Sequence, residues 1–315
     1  MTRKSKPLPQ LTGGIFLTDG GLETTLIFHK GLELPHFAAF DLMRTVEGRK
    51  ALEDYIEPYI AAAKAGGFGF LLDSCTWRAS PDWGSKMGYS AEALAVVNRE
   101  AIELLVETRE RHASPGFPMA ISGAIGPRGD GYVADALMTE AEAEQYHAWQ
   151  IAVLADTAVD LVTAYTLTNV PEAIGIARAA SKSNVPVAIS FTLETDGRLP
   201  TGDTLEDAIR RTDEATGGAP AYYMINCAHP DHFQHVLDSG GAWLDRLRGL
   251  RANASRRSHA ELNEAPDLDA GNPDELGAQY RALTRRYPKL TILGGCCGTD
   301  HRHVACIGRD LSIAA

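Results

Sequence analysis

Three of the five cysteines in this 315-residue chain are placed so that one metal ion could take all of them. Cys227 closes an apolar run at 221–227, and Cys296 and Cys297 are adjacent just beyond the apolar run 290–293. Catalytic zinc takes three protein ligands and keeps the fourth tetrahedral position for water or substrate. Three thiolates around a divalent ion leave a net charge of about −1, a weak Lewis acid for hydrolysis. Such a centre suits a different task, holding a substrate thiol as a nucleophilic thiolate. Gly294, Gly295 and Gly298 flank the pair, and glycine's backbone freedom would let adjacent side chains turn to one ion. The competing reading is that these thiols are simply buried or redox-active. Cys75 and Cys306 read as core, the latter because it lies in the apolar run 304–307. His229, His232 and His235 follow Cys227, and His301 and His303 follow the pair. All lie where helices should begin, so solvation rather than ligation is expected of them.

The elements that must carry these residues alternate. Apolar strand candidates lie at 15–19, 68–73, 119–125, 161–165, 185–191, 221–227, 247–252 and 290–293, the seventh being the weakest. Helical patterns separate them, as at 51–65, where Leu52, Tyr55, Ile56, Tyr59 and Ile60 recur at helical spacing. Eight strands, each followed by a helix, predict a (β/α)8 TIM barrel of the α/β class, with an open doubly wound sheet as the alternative. Residues 1–315 are expected to form one domain with its core at about 15–308, since no Pro/Ser-rich linker interrupts the alternation. On a barrel, Cys227 ends strand six and the pair ends strand eight, so all three would meet at the C-terminal rim. The long non-periodic stretch 253–273 would overhang the same face, and a loop of that length is usually functional or disordered.

Composition narrows the partners. Thirty Lys and Arg against 41 Asp and Glu give a net charge of −11, which argues against nucleic acid or an anionic membrane as partner. No stretch reaches the roughly 18 apolar residues of a membrane span. Arg3, Lys4 and Lys6 are not followed by the apolar stretch of a secretion signal, so a cytoplasmic location is expected. An odd cysteine count in such a chain argues against a disulfide framework. Oligomeric state leaves no readable mark.

The segments LTDGGLETTL (17–26), ISFT (189–192), INC (225–227) and GGCCGT (294–299) carry a family resemblance. The chain resembles the zinc-dependent homocysteine S-methyltransferase family over residues 16–307. That family includes betaine and S-methylmethionine enzymes and the first domain of cobalamin methionine synthase. The resemblance implies a (β/α)8 barrel, Zn2+ on Cys227, Cys296 and Cys297, and methyl transfer from an onium donor to a thiol. It implies homocysteine as acceptor and methionine as product. Asp19 matches the aspartate that helps hold the amino acid, and Gly20 and Gly21 would let its loop approach the ligand. Ser190 matches the serine of the Ser-Phe-Thr strand, and Asn226 the residue before the first zinc ligand. Trp77, ahead of Trp83, is the candidate aromatic near the donor, because indole faces attract onium cations.

Two departures stand beside these matches. Many members carry Glu-Thr after strand four, whose carboxylate helps bind the amino group of homocysteine; here the pair is Tyr165 and Thr166. Glu23 is the candidate substitute. The family's Pro-Asn-Ser/Ala-Gly segment after strand seven reads Ala252, Asn253, Ala254 and Ser255. An acceptor thiol other than homocysteine therefore stays open. So do a zinc hydrolase and a non-catalytic zinc- or thiol-binding barrel. No Asp-x-His-x-x-Gly cobalamin motif occurs, which argues against a built-in corrin.

Overall fold

In the computed structural model, which describes residues 7–135 and 137–312, eight parallel strands close into a barrel in the order β1 to β8. They are β1 Phe16–Leu17, β2 Gly69–Asp73, β3 Met119–Ile125, β4 Leu161–Leu167, β5 Val187–Phe191, β6 Tyr222–Asn226, β7 Leu247–Ala252 and β8 Ile292–Gly295. Closure is direct, with Phe16 of β1 in register with both Gly69 of β2 and Ile292 of β8. The open-sheet alternative is thereby excluded. Arg3, Lys4 and Lys6 lie outside the described residues, among which no helix is long and apolar enough to cross a membrane.

The helices around the barrel are α1 Val46–Gly66, α2 Ala91–His112, α3 Glu140–Ala155, α4 Val170–Lys182, α5 Leu205–Thr216, α6 Pro230–Leu237, α7 Pro273–Arg286 and α8 His301–Ser312. Their starts are set by side chains that accept the free N–H groups of the first turn. Thr139 and Glu142 form a reciprocal capping box at α3, while Asn169 and Thr204 cap α4 and α5. Leu52, Tyr55, Ile56, Tyr59 and Ile60 of α1 are all buried, as their spacing predicts.

Strand alternation decides what fills the barrel. Leu71, Ala120, Ala124, Leu161, Tyr165, Ala188, Tyr222, Met224 and Ile292 form one interior cluster. Large and small residues interlock there: a Cβ on Gly249 would lie 2.5 Å from Met224 Cε. Leu71 and Asp73 of β2 share the inward face, as do Gly249 and Arg251 of β7. The cluster thus gives way to charge toward the C-terminal mouth. The stretch 253–273 is not wholly irregular, since Ser258 and Glu261 cap a short helix, His259–Glu264.

Candidate functional site

The three cysteines meet at the mouth, as the spacing predicts. Cys227 follows β6 directly in a left-handed conformation (φ 53°), uncommon for any residue but glycine. Its N–H donates to Arg251 O at 3.1 Å, and Cys296 N–H donates to Ala252 O at 2.8 Å. Backbone hydrogen bonds across β6, β7 and β8 therefore fix both turns. Gly294 and Gly295 are glycine for a reason other than the expected one. Their φ values are ordinary, but any Cβ would collide with Thr18 or Thr299. Only Gly298 among the three is left-handed (φ 78°).

The Sγ atoms of Cys227, Cys296 and Cys297 lie within 4.8 Å of one another, the group among the described residues that could hold a metal ion. Tetrahedral zinc with Zn–S bonds of about 2.3 Å needs sulfurs roughly 3.8 Å apart, so this donor set fits zinc. Cys227 and Cys296 are joined as a disulfide, with Cys297 free, which corrects the expectation of free thiols throughout. Both arrangements need the same convergence of sulfurs; a metal takes them reduced. Two donors face the cluster: Asn226 Nδ2 at 3.8 Å from Cys296 Sγ, and Tyr132 Oη at 3.1 Å from Cys297 Sγ. Burial pushes the Cys297 thiol up to about 11, against the pull of the Tyr132 hydrogen bond.

Histidine placement corrects one expectation and upholds another. His229, His232 and His303 are buried rather than solvated. They work on backbone: His229 Nδ1 accepts from Asp231 N–H at the start of α6, and His303 Nδ1 from Asp300 N–H. His232 Nε2 bonds Arg256 O. His235 and His301 are exposed. None belongs to the metal-competent group. Cys75 is buried as expected, while Cys306 is half-exposed on α8 and faces Asp274, so it is not core.

Beside the sulfurs opens a cavity of about 460 Å3, lined among others by Asp19, Glu23, Asp73, Trp77, Tyr165 and Arg251. Its polar floor was not legible as a unit. Arg251 Nη2 bonds Asp19 Oδ1 at 2.5 Å and Gly20 O at 3.0 Å. Its Nη1 bonds Asp73 Oδ2 at 2.6 Å and Tyr165 Oη at 3.4 Å, and its Nε bonds Gly295 O at 2.9 Å. All five guanidinium N–H groups are thereby committed. Tyr55 Oη donates to Asp19 Oδ2, and Tyr165 Oη to Asp73 Oδ2 at 2.8 Å. Tyrosine at 165 thus points its hydroxyl at a carboxylate supplied by β2. Burial raises the pKa of Asp19 and pushes Asp73 up to about 6, while Arg251 opposes both shifts. Burial likewise pushes Glu23 up to about 7.

The remaining predicted residues divide. Gly20 and Gly21 line the cavity, and Gly21 packs so closely on the Cys296 carbonyl that a Cβ would sit 2.6 Å from its oxygen. Ser190 is fully buried outside the cavity lining and donates to Asn226 Oδ1 at 2.6 Å. Asn226 Oδ1 also accepts Thr166 N–H, which a left-handed Thr166 (φ 62°) at an irregularity in β4 turns inward. Trp77 lines the cavity, with Arg78 4.2 Å over its ring. Trp83 does not line it; Arg78 and Lys86 each lie 3.9 Å from its ring centroid. Tyr132 and His259 were missed altogether. Their rings stack at 4.0 Å, and His259 Nε2 bonds Cys227 O at 2.7 Å. The 253–273 stretch therefore reaches the sulfur site.

The family model described as homocysteine S-methyltransferase matches residues 16–311. This chain belongs to the homocysteine S-methyltransferase family. It is accordingly a methyltransferase. Homocysteine S-methyltransferase 1 of Arabidopsis thaliana is 22% identical over 95% of this chain and 94% of its own length. Selenocysteine Se-methyltransferase of Brassica oleracea var. italica is 23% identical over 97% and 91%. Among solved structures, the metallated form of the Escherichia coli homocysteine methyltransferase MmuM superposes with a TM-score of 0.71 at 19% identity, covering 96% of this chain and 99% of that one. Its oxidised form gives 0.72 at 20%, covering 95% and 96%. At such identity these two structures speak for the shared barrel. At the polar floor of this homocysteine S-methyltransferase family member, Tyr165, Asp73 and Arg251 form one network.

Proposed function

We propose that the protein is a zinc-dependent methyltransferase that moves a methyl group from an onium donor, S-methylmethionine or a betaine-like compound, to homocysteine, giving methionine. The observation that carries this reading is the convergence of three cysteine sulfurs on a cavity whose floor carries Asp19 and Asp73. Cys227, Cys296 and Cys297 would hold the zinc, which supplies when bound a Lewis acid that favours the ionised form of an acceptor thiol. A cytoplasmic location, where thiols stay reduced, fits that use of the three cysteines. Solved forms of MmuM described as metallated and as oxidised parallel the two arrangements open to these sulfurs.

The chain's own residues then position the reactants. Asn226 and Tyr132 donate toward Cys296 and Cys297, spreading the negative charge of the sulfurs. Ser190 and Thr166 hold the Asn226 side chain in place. Asp19, with Gly20 and Gly21 beneath it, and Glu23 form the acidic wall facing the amino acid. Trp77 presents an indole to the donor cation. In the transfer, a lone pair of the acceptor sulfur forms the new S–CH3 bond in line. The old bond to the onium centre breaks, its electron pair leaving with the donor as a neutral thioether or amine. The thiol proton is released when the acceptor ionises. Holding the two reactants in line turns a bimolecular step into an effectively unimolecular one.

A second reading, a different amino-acid thiol or a selenol as acceptor, is favoured by the rebuilt floor at Tyr165. The test combines metal analysis of the reduced protein with a donor–acceptor screen. One zinc per chain and methionine formed from homocysteine are expected. Zinc without turnover of homocysteine, but with turnover of selenocysteine, would select the second reading. No zinc, or zinc unchanged in Cys227→Ser, would overturn the site.

A further inference from the structure

The loop between β1 and α1 carries two exposed phenylalanines, each on a rare backbone conformation. Phe28 is 45% and Phe37 46% exposed, and both line the cavity that holds the sulfurs. Phe28 stands in a π-helical turn, Thr25–His29, where Lys30 N–H donates to Thr25 O at 3.2 Å. Such turns are rare and occur most often at functional sites. Phe37 (φ 57°) follows His36 (φ 56°), two consecutive left-handed residues without a glycine. A bulky residue there is a strained outlier, and strain of this kind clusters at ligand clamps. Single exposed apolar side chains are ordinary; two that costly backbone holds at a cavity mouth are not.

The stretch 253–273 brings Leu262 and Leu268, both partly buried, to the same cavity. The two segments flank the short turn after β8. Gly298 N–H donates to Thr24 Oγ1 at 3.2 Å, and a Cβ on Gly298 would lie 2.8 Å from Asp269 O. The sulfurs and the polar floor thus lie at the strand ends, and the apolar groups on the loops beyond them. In-line transfer gives each level an occupant. With the acceptor sulfur at the cysteines, the onium centre stands on the far side of the methyl group. Its remaining substituents then extend past Trp77 toward the mouth, where they meet apolar side chains.

We propose that Phe28 and Phe37, with Leu262 and Leu268, form a donor subsite for an apolar substituent, so that the donor class extends to sulfonium ions carrying an alkyl chain in place of an amino-acid arm. The assignment rests on the thiol-methyltransferase reading above and widens its donor range. With hexyldimethylsulfonium, a lone pair of the acceptor sulfur forms the new S–CH3 bond. One methyl–sulfur bond of the donor breaks, its electron pair leaving on hexyl methyl sulfide, and the thiol proton passes to solvent.

The experiment gives the zinc-loaded protein homocysteine and a series of alkyldimethylsulfonium donors, from trimethylsulfonium to hexyldimethylsulfonium. A half-open apolar subsite should raise kcat/KM about twofold per methylene, and so about 30-fold across the series. In the double variant Phe28→Ala, Phe37→Ala, that ratio should fall to about 3. A ratio near 1 in wild type would overturn the subsite, and so would an unchanged ratio in a variant of native circular dichroism. If light scattering shows a dimer that the variant loses while the ratio stays, the phenylalanines belong to a contact between copies, and the subsite falls. Calorimetry without acceptor separates binding from turnover: hexyltrimethylammonium should bind about 30-fold more tightly than tetramethylammonium. That preference, without methyl transfer from any donor, S-methylmethionine included, would uphold the subsite and overturn the functional reading. Methyl transfer from S-methylmethionine without the preference would overturn the subsite alone.

Discussion

The two halves of the barrel mouth are built by different means. At the ends of β6 and β8 the backbone does the positioning. Cys227 and Cys296 are held by peptide hydrogen bonds to β7, and the glycines beside the pair are spaces that no Cβ could enter. At the ends of β1, β2, β4 and β7 side chains do the positioning, through one buried arginine and the groups around it. A backbone-built site can hardly move, because each residue is tied to one place in the chain. A side-chain network can shift its charges between neighbouring strands provided the sum is kept. The sulfur side is accordingly carried by two short segments, 225–227 and 294–299, while the floor draws single residues from four strands.

The first way to break that contrast is to remove a sulfur. Cys297→Ser should lose zinc almost entirely and lower methyl transfer by at least about 100-fold, since a hydroxyl replaces an anionic ligand that nothing else in the mouth can supply. Metal analysis and steady-state kinetics read both. Stability should change little, because Cys297 is not in the packed core. Full zinc in the variant would mean that the convergence of sulfurs is not the metal site.

On the floor the expected loss is stability. Arg251→Met leaves Asp19 and Asp73 buried without their cation, and breaking a buried ion pair from one side costs about 3–5 kcal/mol. Urea unfolding should show it as a lower midpoint at pH 7. Asp19→Asn in the same background should recover part of the loss, because one of the two stranded charges is gone. A midpoint unchanged in Arg251→Met would show that the network contributes nothing to the fold.

Between the two halves stands Tyr132, whose hydroxyl faces Cys297 and whose ring stacks on His259. Tyr132→Phe keeps the ring and removes the donor, so the stack should survive while the affinity for zinc falls about 10-fold. A chelator competition series measures this. An unchanged affinity would confine Tyr132 to a packing role.

How much of this was legible follows the same division. The sulfur side could be read because its signal is local: an adjacent cysteine pair among glycines and a third cysteine at a strand end. The floor is dispersed over four strands, and Arg251 sits in LRGLRA, the strand candidate with the weakest apolar pattern. The signal was nonetheless present. Alternation puts residue 251 on the face of Gly249, which packs on Met224 inside the barrel, so a charge there needs a buried partner. The inward face of β2, Leu71 and then Asp73, poses the same demand with the opposite sign. What alternation cannot supply is the pairing across the barrel, because that depends on register and closure. The Tyr132–His259 contact joins an irregular loop to the first residue of a short helix, and nothing in their sequence periodicity forecasts it.

The smallest effect tests whether the acidic wall obeys the same rule of conserved charge. Glu23 is partly buried beside Asp19, and burial pushes its carboxyl from 4.5 up to about 7. A carboxyl whose pKa is raised by folding binds its proton more tightly in the native state. Its contribution is therefore most favourable at low pH and declines as pH rises from about 4.5 to about 7, then stays flat. Asp73 has the same sign over 3.8 to about 6, so the wild-type curve alone does not isolate Glu23. Glu23→Gln does, by difference. With solvent screening allowed for, the variant should gain on the order of 1 kcal/mol over wild type between pH 4.5 and pH 8. Urea midpoints at those two values measure it. A difference that is flat, or that grows as pH falls, would mean that the Glu23 carboxylate is already stabilised by a neighbouring donor. The acidic wall would then hold less unpaired charge than the burial of Glu23 implies.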